Sequence, residues 1–487
     1  MSSAIAGIGG LSGRGGSRFM MATLFLGSFL SIYHVVSLNA VLPGFITIFD
    51  TDLSTAQWLM TGFTLATGMV APVCAYLEER FGTRRLFLSC IVMLTLCSII
   101  CSFAWNIYSL IVFRTLQGIF CGILQPLTLS ILYGTLPREQ HSTALGWWTA
   151  STILGPALAP TISGWLQQSD WRLIFWATVP IGLVVWRMGF ACLPAAKARS
   201  TERPDLLSLS YVMTGTLAVL TLFSKMNRWG LLSLSSLLCA AVSLLFITLF
   251  IRRSLKSEHP LLQLRLFANR MFTSSLAASL ILIVGLYSGI YFIPLFLQQV
   301  QGMTPLHVGL LLLPPALSMT LATMISTRYY KKLGPSTLLI TGTILLMVAT
   351  WQFSRLQPAS GHGFVMLWMA VRYVGIGLSM TPAMNAGMSA VSQQFSSHAS
   401  ALINWIRQAG GALAIGLFTA FFYSRISAYG GQAGVSPSAA AVDASSQLNI
   451  LMPYMKGLND VFLLALLFTS LSVPLALLLR KRKRTAL

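Results

Sequence analysis

Segments of about twenty predominantly apolar residues follow one another through almost the whole of this chain, with few polar residues between them, and no other feature constrains its fold as strongly. At 1.5 Å per residue, a helix of about 20 residues crosses a hydrocarbon core about 30 Å thick. Backbone in contact with lipid must satisfy its own hydrogen bonds, so each segment reads as a helix. Only 9% of the 487 residues are charged and 55% are hydrophobic, whereas soluble domains carry about 25% charged residues. No stretch remains for a soluble domain. Met1 to Gly16 is rich in Gly and Ser, with Arg14 and Arg18 near the apolar run. That run is too long for a signal peptide and lacks a small-residue cleavage site, so it reads as the first permanent span.

Apolar runs bounded by Pro, Gly and charge clusters predict fourteen spans in an all-α polytopic membrane protein. Six lie near Phe19 to Leu42, Trp58 to Leu77, Leu86 to Trp105, Ser109 to Leu132, Ala144 to Leu166 and Leu173 to Leu193. Two follow at Leu206 to Phe223 and Leu231 to Ile251. Six more lie at Ser274 to Leu297, Leu306 to Ile325, Ser336 to Phe353, Phe364 to Met388, Ala399 to Phe422 and Val461 to Leu479. The positive-inside rule tests this count, because one missed helix would swap the sides of every later loop. Of the 32 basic residues, 22 fall on the side holding both termini, read as cytoplasmic, and six on the other. The net charge of +21 is therefore mostly topology, with anionic-lipid contact added by the Arg480 to Arg484 tail.

Several functions are excluded by residue type. Nucleic-acid binding needs a basic face on a soluble module, which is absent. The seven cysteines, Cys74, Cys90, Cys97, Cys101, Cys121, Cys192 and Cys239, all fall in apolar segments. Cys97 and Cys101 share a face, but no His or carboxylate accompanies them. His141, His259, His307, His362 and His398 sit in loops or at helix ends without ligand spacing, so no metal site is expected. Without a Walker loop, hydride-cofactor fingerprint or nucleophile elbow, the chain reads as a transporter with no cofactor, powered by an ion gradient or by substrate alone.

After the second span stands Ala75-Tyr76-Leu77-Glu78-Glu79-Arg80-Phe81-Gly82-Thr83-Arg84-Arg85. It resembles the signature loop of the major facilitator superfamily, Gly-x-Leu-Ala-Asp-Arg-x-Gly-Arg-Arg, with Ala75 for the first Gly, Glu79 for the Asp and Thr83 for one Arg. A turn at Gly82, with the Glu79 carboxylate and the guanidinium groups of Arg80, Arg84 and Arg85 reaching neighbouring helix ends, suits a latch that holds one conformation. Arg328 to Gly334 is a weaker echo in the second half. In the fourth span, Arg114-Thr115-Leu116-Gln117-Gly118 resembles the superfamily's Arg-x-x-Gln-Gly segment. The fifth, through Gly155-Pro156-Ala157-Leu158-Ala159-Pro160, is similar to the Gly-Pro segment of its antiporters, where small residues and proline permit a flexing interface. Trp171 to Phe175, His259-Pro260-Leu261, Pro294 to Gln298 and Asn404 with Arg407 to Gly411 are similar to the fourteen-span drug:proton antiporter family. The resemblance implies two six-helix bundles, 19–193 and 273–479, with two inserted helices and their loops at 194–272 and cytoplasmic tails at 1–18 and 480–487. It also implies alternating access around a midplane site.

The chain departs from that family in its first span as well. Many relatives carry an aspartate in a Leu-Asp-x-x-Ile-Val-Asn-x-Ala-Leu-Pro segment of the first span, and here the segment runs from Tyr33 to Pro43 with His34 in the carboxylate position. All eleven acids lie in loops or near helix ends. A lipophilic cation moved into a low-dielectric cavity needs a counter-charge, and none is available at mid-membrane. The candidate pocket groups are instead Arg114, Arg372 and Arg407 with Tyr33, Asn39, Gln117, Tyr287, Tyr291, Gln298, Asn385, Asn404 and Trp405. A neutral or anionic amphipathic substrate follows. His34 can carry the coupled proton, although burial and Arg114 both disfavour a charged imidazole; a neutral histidine bonded within the bundle is the alternative. The expected function is proton-coupled export of small amphipathic compounds from a bacterial inner membrane, with substrate, protons and bilayer as partners. A lipid-like or uncoupled facilitator, and a membrane sensor that transports nothing, stay open.

Overall fold

Residues 14–38, 41–51, 53–194, 205–229, 233–257, 260–430 and 444–479 are described in a computed structural model, and every regular element among them is a helix. Twelve helices are long and apolar enough to cross a membrane. The all-helical, multi-pass expectation holds. Two long elements bear on the span count. Arg138–Ser169 is a 32-residue helix outside those twelve. Pro305–Phe353 runs for 49 residues, more than twice what a crossing needs, and is broken at Gly334, whose φ of 77° is open to glycine without strain. The first helix, Arg14–Val36, stops short of Leu42, and a separate Leu42–Ile48 helix begins with Pro43 in its first turn, where the missing N–H costs nothing. At the other end, helices Ser396–Ala428 and Ala444–Ser470 extend into the interval between the spans expected at Ala399 to Phe422 and Val461 to Leu479.

The chain divides into two compact units, one of residues 1–217, 246–264 and 391–405, the other of residues 218–245, 265–390 and 406–487. In the first, Leu38, Phe45, Leu59, Cys101, Leu110, Trp171 and Phe175 form a buried cluster near one end of the helices. In the second, Phe292, Phe296, Phe353, Phe418, Phe422 and Phe462 interlock as aromatic packing; edge-to-face contacts such as Phe292–Phe422, with centroids 5.5 Å apart, add about 1 kcal/mol each beyond burial. The Leu234–Lys256 helix exposes Leu234, Leu237, Leu244 and Leu245, as lipid contact allows.

Candidate functional site

The helix that carries Arg114, Ile107–Thr135, is started by a capping box in which Asn106 Oδ1 accepts from the Ser109 amide at 2.7 Å and Ser109 Oγ accepts from the Asn106 amide at 3.2 Å. Two turns on, the guanidinium is fully buried. One nitrogen donates to Gln117 Oε1 at 2.6 Å and another to the backbone oxygen of His34 at 2.8 Å. Gln117 Nε2 donates to Ser98 Oγ at 2.8 Å, and that hydroxyl lies 3.4 Å from His34 Nε2. The polar groups thus close a ring that begins and ends on one residue. The Phe63 ring lies 4.4 Å beneath the guanidinium carbon. An arginine at mid-membrane costs about 3 kcal/mol on insertion scales. Two charge-assisted hydrogen bonds of about 1.5–3 kcal/mol each and a desolvated cation–π contact of about 2 kcal/mol offset it. No carboxylate is needed, and among the described residues none pairs with it.

Arg372, on His362–Ser389 in the second unit, is also fully buried. It donates to the Gly285 carbonyl, to Ser288 Oγ at 2.6 Å and to Thr350 Oγ1. A Cβ at Gly289 would lie 2.6 Å from its Nε, so the glycine makes its berth. Nε of Arg114 and of Arg372 has no acceptor.

The signature loop is a helix break. Helix Cys74–Phe81 ends at Gly82, φ 79° and ψ 147°, and helix Thr83–Ser102 starts at once. Gly334 has nearly the same backbone, φ 77° and ψ 163°, so the echo read at Arg328 to Gly334 is a repeated turn as well as a repeated pattern. Arg80 donates to the Tyr76 hydroxyl at 2.8 Å, Arg84 to the Phe190 carbonyl at 2.6 Å while stacking on that ring, and Arg85 is exposed. Glu79 Oε1 accepts from His398 Nε2 at 2.9 Å.

Other residues singled out from sequence disperse. The Tyr33 hydroxyl lies 3.2 Å from Ser163 Oγ. Gly155 admits Ile32, whose Cγ2 would be 2.6 Å from a Cβ there, so the small residue permits a close helix crossing. Asn39 and the Pro156 side chain lie outside the described residues. Tyr287 packs on Gly411 and is near enough to Arg407 to interact, while Tyr291 bonds Thr419. Asn385 is buried with Tyr330 as a partner, Asn404 donates to the Ser400 carbonyl at 3.0 Å, and Gln298 is half-buried. Trp405 Nε1 donates to Thr216 Oγ1 at 2.8 Å and meets Phe250 edge-on, which ties it to the helices Leu206–Trp229 and Leu234–Lys256. Sequence reasoning missed Ser98, Phe63, Ser288, Thr350 and Gly289. Only the small-residue pair Gly285 and Gly289, four apart on one helix face, carried a signal for close approach.

Residues 24–415 match the profile of the Major Facilitator Superfamily. The chain is 29% identical to the uncharacterized MFS-type transporter YhcA of Bacillus subtilis (strain 168), with 96% of this chain and 94% of that one covered. It is 28% identical to the multidrug resistance protein B homolog of Mycobacterium tuberculosis (strain ATCC 25618 / H37Rv), over 90% and 84% of the two chains. Its fold is similar to the crystal structure of the human organic anion transporter MFSD10 (TETRAN), with a TM-score of 0.63 at 14% identity, covering 93% of this chain and 99% of that one.

Proposed function

Because the chain belongs to the Major Facilitator Superfamily and is a multi-pass membrane transporter, not an enzyme, we propose that it exports small amphipathic compounds, neutral or anionic, by proton antiport through alternating access. The observation that carries this reading is the Arg114 ring: a buried cation satisfied by amide, carbonyl and hydroxyl oxygens with no acid beside it. Arg372 repeats the chemistry. An interior of this kind attracts anions and repels lipophilic cations. Relatives of similar length that are named for multidrug resistance support export. Fourteen spans in a six, two and six arrangement, both termini cytoplasmic and a bacterial inner membrane complete the reading, with the proton gradient in place of a cofactor.

Proteoliposomes under a defined pH gradient test it. Acidic and neutral amphiphiles are expected to be exported in preference to quaternary ammonium compounds, and the reverse order sinks the substrate class. His34→Ala is expected to uncouple transport from the gradient; unchanged gradient-driven export removes His34 as proton carrier. One observation favours the second reading, an uncoupled facilitator for lipid-like molecules: His34 stands where many relatives have a carboxylate, and its carbonyl is held by a cation. That reading predicts export indifferent to the gradient.

A further inference from the structure

The donors and acceptors of the Arg114 ring determine where each of its protons sits. A guanidinium has five N–H donors and no acceptor, so the Gln117 atom that faces it at 2.6 Å is the amide oxygen. The amide nitrogen must then face Ser98 Oγ, and it donates there at 2.8 Å. Ser98 has one proton and two lone pairs to place. Its proton goes to the Leu94 carbonyl, one turn back at 3.1 Å. Thr178 Oγ1 also lies 3.2 Å from Ser98 Oγ, but with a single proton to give it bonds the Phe175 carbonyl at 2.6 Å and leaves the second Ser98 lone pair free.

That lone pair faces Nε2 of His34 at 3.4 Å. A ring nitrogen that faces a lone pair must present a hydrogen, and the bond made by one imidazole nitrogen decides the state of the other. Neutral His34 is therefore the Nε2–H tautomer, and Nδ1 is the bare nitrogen. Among the described residues Nδ1 makes no hydrogen bond. The charged group that faces the imidazole is Arg114 on the Ile107–Thr135 helix, and Tyr33 on its own helix meets the ring edge-on with centroids 5.8 Å apart. The Thr178–Cys192 helix presents a hydroxyl to the ring, not an acid.

We propose that Ser98 is a positioning residue for His34: it holds the imidazole as the Nε2–H tautomer and leaves Nδ1 as the atom that takes up a proton. One proton passes from water to the Nδ1 lone pair and later returns to water, so no other reactant is required. No bond of the ring breaks in either direction, because Nε2–H keeps its acceptor throughout. A carboxylate could take a proton on either of two oxygens, whereas this site offers one nitrogen of fixed direction. Arg114 sets that direction although its own bond is to the His34 backbone, since its lack of any acceptor is passed on through Gln117 and Ser98. The use of the proton in transport rests on the proton-antiport reading, but the tautomer does not.

Nitrogen-15 NMR of the full-length protein in bilayers, labelled at histidine, reads the tautomer directly, with the His34 signals identified by their loss in His34→Gln. At mildly alkaline pH the wild type is expected to carry its hydrogen on Nε2 and a bare Nδ1. In Ser98→Ala that preference is expected to fall about fivefold, which is what one net neutral hydrogen bond is worth. Ser98→Thr keeps the hydroxyl and is expected to restore it. Should Ser98→Ala fail to fold, the wild-type spectrum still decides between the two nitrogens. A hydrogen on Nδ1 of the neutral ring, a doubly protonated ring under these conditions, or a tautomer ratio unmoved by Ser98→Ala overturns the proposal. An Nε2–H imidazole in a protein whose export ignores the pH gradient upholds the placement and rejects proton antiport. An Nδ1–H imidazole in a protein whose His34-dependent export follows the gradient rejects the placement alone.

Discussion

Arg114 and Arg372 solve one problem in two ways. Each is a fully buried arginine on a long helix of its own unit, each donates to a backbone carbonyl of another helix, and neither has a carboxylate. Around Arg114 one acceptor depends on it: among the described residues Gln117 Oε1 has no other donor. Around Arg372 the hydroxyls have bonds of their own, Ser288 to the Gly285 carbonyl and Thr350 to the Leu346 carbonyl. The first berth is therefore knitted to its arginine and to an ionisable side chain, while the second is a slot that tolerates a cation. A charge kept in a slot that does not need it for folding points to a role in function.

The largest expected difference comes from replacing each arginine by methionine. Arg114→Met orphans a buried amide oxygen and should lower stability by about 1–3 kcal/mol. Arg372→Met removes a desolvated charge and leaves its acceptors paired, so the thermal midpoint should stay level or rise. Transport is expected to fall at least tenfold in both; equal thermal losses would break the comparison. A smaller effect sharpens it. Gly289→Ala forces a Cβ against Arg372 Nε and should cost about 1–3 kcal/mol as overpacking. The same change made in Arg372→Met should be nearly silent, and a cycle of the four proteins measures the coupling.

The smallest effect belongs to an arginine that does have an acid. Arg253 donates to Asp205 at 2.8 Å on an exposed edge. Partial burial pushes the Asp205 carboxyl up, but hydrogen bonds from Arg253 and Ser208 outweigh it and hold the group down at about 2. A folded-state value below the unfolded one, about 3.9, means the contribution is present above pH 4 and is lost as pH falls from about 4 through 2. Asp205→Asn should remove that slope, and at neutral pH it should move the thermal midpoint by no more than a degree or so, as surface pairs do.

How much of this was legible in the sequence depended on distance along the chain. The helices were, because a span writes its own length in apolar residues. Arg114 with Gln117 was too, being three apart on one helix face. Ser98, which closes the ring onto His34, lies 64 residues from that histidine, and nothing local marks one serine of a lipid-embedded helix over another. The same limit hid His398. It looked like a helix-end histidine because its partner, Glu79, sits 319 residues away. Turn geometry was legible where it needed glycine, at Gly82 and Gly334, since few other residues accept that backbone.

Trp405 has one further consequence. Its indole N–H is spent on Thr216 and its ring rests against Phe250, on the helices Leu206–Trp229 and Leu234–Lys256 respectively. Excising residues 206–256 to make a shorter protein would leave an indole with a stranded donor and an unfilled contact. A version of this transporter without residues 206–256 therefore needs a small or polar residue at 405 as well as a new linker.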